Sequence, residues 1–165
     1  MYVLRTPNCR KRDLEKRWAL PDRVFFACGA CHILAYAFLE RHGTPAMRAL
    51  WIRPAAGHTG NHIFVADGAT VFDFHGYSGR ARFLDHYWRR ARFHHAGWDA
   101  TLVALPPEIL VAGPASRAID GLWLRGPDQY FADALPRARA FVARFPSPAE
   151  RFAQSALRHW PCSVT

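Results

Sequence analysis

The chain has 165 residues, 50% hydrophobic and 14% aromatic, enough apolar material for one globular domain with a real core. No apolar run reaches membrane-spanning length, and four cysteines at spacings that suggest no disulfide ladder point to free thiols in a reducing compartment. The formal net charge is +9; of 22 basic residues only Lys11 and Lys16 are lysine, leaving 20 arginines, and such a surface attracts acidic partners.

Along the chain, Arg10 to Trp18 reads as a short charged helix that breaks at Pro21. Met1 to Leu20 carries charges at Arg5, Arg10, Lys11, Arg12, Asp13, Glu15, Lys16 and Arg17 and no apolar core of signal-peptide length, so a cytoplasmic location is expected. Val24-Phe25-Phe26-Ala27 then runs into Cys28-Gly29-Ala30-Cys31. Cys31 opens a helix that continues from His32 to His42 and stops at Gly43. Leu34, Ala35, Phe38 and Leu39 follow at three- and four-residue spacings, which turns the face carrying Cys31 inward.

Strands are expected at Ala46 to Arg53, Asn61 to Ala66 and Ala69 to Phe74, followed by a helix at Arg80 to Arg92 and an alternating strand at Trp98 to Leu105. Helical stretches near Gln129 to Phe145 and Pro148 to Trp160 complete the chain. The pattern is α+β: a helix packed on a short antiparallel sheet, with the thiol at their junction. The weakest joint lies near Pro106-Pro107 and Gly113-Pro114. It separates a core of about residues 20–105 from a mainly helical extension of about 106–165 within a single domain.

The chemistry converges on Cys31, His62 and Asp73. Asp67-Gly68 is a favoured two-residue type I′ hairpin turn. With that turn His62 lies directly opposite Asp73 on one face of the sheet, close enough for the carboxylate to hold the imidazole in one tautomer. A one-residue slip would place His62 opposite Phe72 or Phe74 and destroy the pair. A thiol at a helix N-terminus feels the positive end of the dipole, and a neighbouring imidazole lowers its pKa further. Small residues at Gly29 and Ala30 admit a substrate carbonyl, with the Cys31 backbone N–H as one oxyanion donor. His58, Asn61 and His75 flank the expected cleft as candidate substrate-orienting residues.

Cys28-Gly29-Ala30-Cys31 followed by a helix resembles the cysteine segment of papain-like thiol proteases, with His32 where those carry an aromatic residue. Gly43-Thr44-Pro45-Ala46-Met47-Arg48, Asn61-His62-Ile63-Phe64-Val65 and Val71-Phe72-Asp73 are similar to the Cys, His, Asp order of the transglutaminase-like branch of that superfamily. The resemblance covers roughly residues 24–76. It implies Cys31 as nucleophile, His62 as general base and Asp73 as its orienter, in a hydrolase of a peptide or protein amide that needs no cofactor. Met47 is inserted before Arg48 relative to the family pattern. The glutamine that papain-like enzymes carry six residues before the cysteine falls on Phe25, and the chain's glutamines are Gln129 and Gln154.

Other readings compete for the same residues. A buried cysteine opening an apolar helix is ordinarily a small core hydrophobe. Cys28-Gly29-Ala30-Cys31-His32 matches the attachment motif of c-type haem, with His32 axial and Met47 distal, but such proteins mature outside the cytosol. A strand leading into Cys-x-x-Cys and a helix suits a thioredoxin-like redox pair. For zinc, a single Cys-x-x-Cys knuckle has no second Cys or His pair at ligand spacing. The stretch Arg80 to Arg92 concentrates arginine beside aromatics. It reads first as a solvated helix with Phe83, Leu84, Tyr87 and Trp88 toward the core, and second as a surface for nucleic acid or an acidic protein. A non-catalytic interaction protein using that face is therefore the alternative to a thiol hydrolase.

Overall fold

The computed structural model describes residues 13–151 and 153; Cys9, Cys162 and most of the expected Pro148 to Trp160 helix lie outside them. Helix α1 (Leu14–Trp18) starts where the Asp13 carboxylate accepts from the Lys16 N–H at 3.1 Å. Pro21 then occupies the N-cap of α2 (Asp22–Ala27). The strand that the redox reading needs before Cys28 is therefore a helix. Phe25 and Phe26 explain the difference: both are buried, with rings against Tyr130 and Phe141 respectively, a packing that a helical turn allows.

Helix α3 (Cys31–His42) buries His32, Ile33, Leu34, Ala35, Ala37 and Phe38, so it is apolar nearly all round and occupies the centre of the molecule. Strands β1 (Arg48–Pro54), β2 (His62–Ala66), β3 (Thr70–Asp73), β4 (Gly76–Gly79) and β5 (Ala100–Leu105) form one antiparallel sheet in the order β4-β3-β2-β1-β5. Ala49, Trp51, Ile63, Val65 and Phe72 face α3, where Phe72 stacks on Phe38 at 4.1 Å. Ile52, Phe64, Ala66 and Val71 face α4 (Arg80–His94), which adds Phe83, Leu84, Tyr87 and Trp88. The molecule is thus α+β, with helices on both faces of the sheet.

The hairpin register differs from the expected one. Val65 pairs with Phe72 and Ala66 with Val71, so the ladder is displaced by two residues and Phe64, not His62, falls opposite Asp73. Neither Asp67 nor Gly68 adopts the positive φ of a type I′ turn. Asp67 instead spends its carboxylate on the N–H groups of Ala69 (2.8 Å) and Thr70 (2.6 Å), which moves the turn one residue along. A shift of two preserves the face, so His62 and Asp73 remain on the same side.

β3 ends at Asp73, one residue before its expected end, because Phe74 and His75 make the next turn and Gly76 (φ +91°) starts β4. This glycine-rich strand carries little propensity, and the sequence pattern does not announce it. Beyond β5, three 3-10 turns (Pro107–Val111, Gly113–Ala118 and Pro127–Gln129) precede α5 (Ala134–Val142), shorter than the expected Gln129 to Phe145 helix because Asp133 caps it. Leu110, Leu122, Tyr130, Ala138 and Phe141 from this segment enter the same core as α3. No helix among the described residues is long and apolar enough to cross a membrane.

Candidate active site

α3 begins at Cys31, with Ala30 as N-cap, so the thiol sits on the first turn, where backbone N–H groups have no helical partner and the dipole is positive. Cys31 is partly buried and reduced, as is Cys28. His62 is the first residue of β2 and Asp73 the last of β3; they are 4% and 3% exposed. His62 Nε2 donates to Asp73 Oδ2 at 3.3 Å, which leaves Nδ1 as the ring nitrogen for the thiol. The displaced register turns the expected directly opposite pair into a diagonal one.

Asp73 has further partners. The His75 N–H donates to its Oδ1 at 2.8 Å, and His75 Nδ1 stands 3.2 and 3.1 Å from Oδ1 and Oδ2. His62 is enclosed by aromatic rings. Tyr87 lies parallel to it at 5.8 Å with an interplanar angle of 6°, and Phe74 meets it edge-on at 5.3 Å. The Tyr87 hydroxyl donates to the Gly60 carbonyl at 2.8 Å, which fixes that stacking ring at its far end.

These contacts set the protonation states. Burial alone pushes the Cys31 thiol up, but hydrogen bonding with the His32 and His62 imidazoles more than reverses this and brings it down to about 5. Burial alone would lower His62, yet its bonds to Asp73 and Cys31 raise it to about 9. Burial would likewise raise Asp73, but His62 and then His75 hold it at about 2. Near neutrality the trio is therefore thiolate, imidazolium and carboxylate, the state of an activated sulfur nucleophile.

The remaining expected residues are distributed unevenly. Gly29 is exposed at φ +98° and Ala30 buried, both in the turn before the thiol. Asn61 and the half-buried His58 line a cavity of about 650 Å³ with Trp51, Arg53 and Asp99; Cys31 and Asp73 are not among its walls. His75 is placed on Asp73. Among the described residues no group of three His, Cys, Asp or Glu side chains is arranged to hold a metal. His32 is buried, with Nε2 donating to the Arg125 carbonyl at 2.9 Å.

Sequence reasoning places Tyr87 only in the core; its spacing from Phe83 gives the helical face but not the stacking on His62. Arg17 and Tyr130, which reach the turn before Cys31, carry no signal in the sequence at all. Compared with family models, with curated proteins and with solved structures, the chain finds no match.

Proposed function

We propose that this chain is a cysteine-nucleophile hydrolase of the papain-like, transglutaminase-like kind, acting on a peptide or protein amide in a reducing compartment such as the cytoplasm. One observation carries the reading: a buried imidazole–carboxylate pair at 3.3 Å, electrostatically coupled to a cysteine on the first turn of a 12-residue helix. The Cys31 thiolate attacks the amide carbonyl carbon, forming a C–S bond while the carbonyl electron pair moves to oxygen. Collapse of that oxyanion breaks the C–N bond, and the imidazolium of His62 gives its proton to the leaving amine. Water then attacks the thioester with His62 as base, releasing the acid and restoring the thiolate. An amine in place of water gives acyl transfer. Asp73 keeps the ring oriented and supports its positive charge throughout.

The exposed Arg82, Arg89 and Arg90 of α4 suit an acidic substrate, and they also serve the rival reading of a non-catalytic interaction protein. The test is iodoacetamide labelling of each cysteine across about pH 5 to 9, in the wild type and in His62→Ala. Fast Cys31 labelling with a midpoint well below the ordinary thiol value of about 8.5, slowed by loss of His62, is expected. Labelling no faster than Cys9 and Cys162, indifferent to His62, overturns the hydrolase reading.

A further inference from the structure

Acyl transfer at Cys31 needs donors for the oxyanion, and the position where the papain-like pattern carries a glutamine is Phe25. That ring is 1% exposed and packed edge-on against Trp18, Phe26 and Tyr130, so it supplies no donor. Two side chains, one 11 and the other 101 residues from its partner, close instead on the turn before the nucleophile. Arg17 Nη2 donates to the Cys28 carbonyl at 2.6 Å, and the Tyr130 hydroxyl donates to the Gly29 carbonyl at 2.7 Å. The Arg17 guanidinium also stands over the Tyr130 ring at 5.5 Å.

Arg17 and Tyr130 lie in the interior, 3% and 6% exposed, whereas Gly29 is exposed and Ala30, 0% exposed, is enclosed next to Cys31 in the chain. Every described peptide bond is trans, so the N–H of each peptide unit points opposite to its carbonyl. The Gly29 N–H therefore points away from Arg17, and the Ala30 N–H points away from Tyr130. Neither donates to another group among the described residues. The φ of +98° at Gly29, a conformation that favours glycine, lets two consecutive carbonyls turn to the interior together.

We infer that Arg17 and Tyr130 are positioning residues: by holding the Cys28 and Gly29 carbonyls inward they present the Ala30 N–H beside the Cys31 N–H as an all-backbone oxyanion hole. The inference rests on the thiol-hydrolase reading. It replaces the glutamine side chain with a second main-chain donor whose direction is set by a tyrosine 101 residues away.

The experiment compares two reagents on the full chain. Iodoacetamide is attacked at a saturated carbon, where sulfur displaces iodide and no oxyanion forms. p-Nitrophenyl acetate is attacked at its carbonyl carbon: the C–S bond forms, an oxyanion develops, and its collapse expels p-nitrophenolate. Removing an oxyanion donor outright costs about 100- to 1,000-fold, and loosening one costs less. Tyr130→Phe is therefore expected to lower the acylation rate about tenfold or more while the iodoacetamide rate and its pH midpoint stay within about twofold. Arg17→Lys, which keeps the positive charge, should behave in the same way. Circular dichroism and thermal melting confirm that both variants fold.

If wild-type Cys31 reacts rapidly with iodoacetamide but both variants acylate at the wild-type rate, the inference fails alone. It fails equally if the two reactions slow in parallel, since that is a structural effect. If wild-type Cys31 is no faster than an ordinary thiol with either reagent, the hydrolase reading fails and takes the inference with it.

Discussion

His75 shares the Asp73 carboxylate with His62: Nδ1 of one and Nε2 of the other stand 3.1 and 3.3 Å from the same Oδ2. A buried carboxylate with two imidazole partners is held ionised more firmly than either partner alone would hold it. Replacing His75 by phenylalanine keeps the backbone N–H bond but removes the ring donor. Asp73 should then move toward its ordinary range yet stay ionised at pH 6, so the His62 imidazolium keeps its carboxylate. Each unit of pKa lost is worth about tenfold in the balance of charged and neutral forms. The iodoacetamide rate of Cys31 at pH 6 is expected to stay within about twofold in His75→Phe and to fall about 100-fold in Asp73→Asn, which removes the charge itself. An Asp73→Asn rate equal to wild type would remove Asp73 from its role.

The same three groups dictate how stability varies with pH. Asp73 is depressed to about 2, so its contribution is complete above the unfolded value of about 3.9 and is lost as pH falls through about 2. Cys31 is depressed to about 5, and its contribution grows as pH rises from about 5 toward the unfolded thiol value of about 8.5. His62 is raised to about 9, so its contribution is complete below about 6.5 and is lost as pH rises through about 9. Between about 6.5 and 8.5 the last two cancel, because folded and unfolded chains each bind one proton on the pair. These groups together predict a rise from pH 2 to 4, a second rise from about 5 to 6.5, and a plateau above it. Urea midpoints across pH measure this. In Cys31→Ser the second rise should vanish and the plateau should become a decline above about 6.5.

Gly76 ties the strand that carries Asp73 to the next one, in a backbone conformation that residues with a Cβ rarely adopt. Its φ is +91°, and a Cβ at this position would lie 2.7 Å from Cε1 of Phe145. Gly76→Ala should cost about 2–4 kcal/mol from backbone strain and overpacking combined. Because Asp73 pairs with Gly76 across the turn, Cys31 labelling should slow in the folded fraction as well. Unfolding midpoints within about 0.5 kcal/mol of wild type would refute this packing.

Much of this site is legible in the sequence because its chemistry follows short-range patterning. Cys31 at a helix start and His62 near a strand start follow from patterning within single elements, and the face shared by His62 and Asp73 survives because the register is displaced by an even number. The hairpin register is not legible, because the choice between a type I′ turn and a carboxylate-capped one depends on how Asp67 spends its side chain, and both options are open to the same residues. The α2 helix escapes a local reading because Val24, Phe25 and Phe26 suit either element until Tyr130 and Phe141 arrive. β4 is anchored by the Tyr77 ring against Phe72 and Phe145, tertiary contacts that a glycine-rich local pattern does not show. Tyr130 is a separate case, since a contact across 101 residues leaves no local trace, and the Arg17 contact, though it spans 11 residues, follows no helix or strand period.

The separations along the chain also order the assembly of the site in time. His62 and Asp73 are 11 residues apart and can meet once one hairpin has closed, whereas the Gly29–Tyr130 bond must close a span of 101 residues. During synthesis from the N-terminus, the nucleophile, base and orienter all emerge well before Tyr130. A nascent or truncated chain ending before that residue would therefore hold its reactive trio with half of the clamp missing. On the proposed reading, the segment that carries Tyr130 acts as a latch on chemistry encoded by residues 31–73, and acylation should quicken once that segment has folded onto the Gly29 carbonyl.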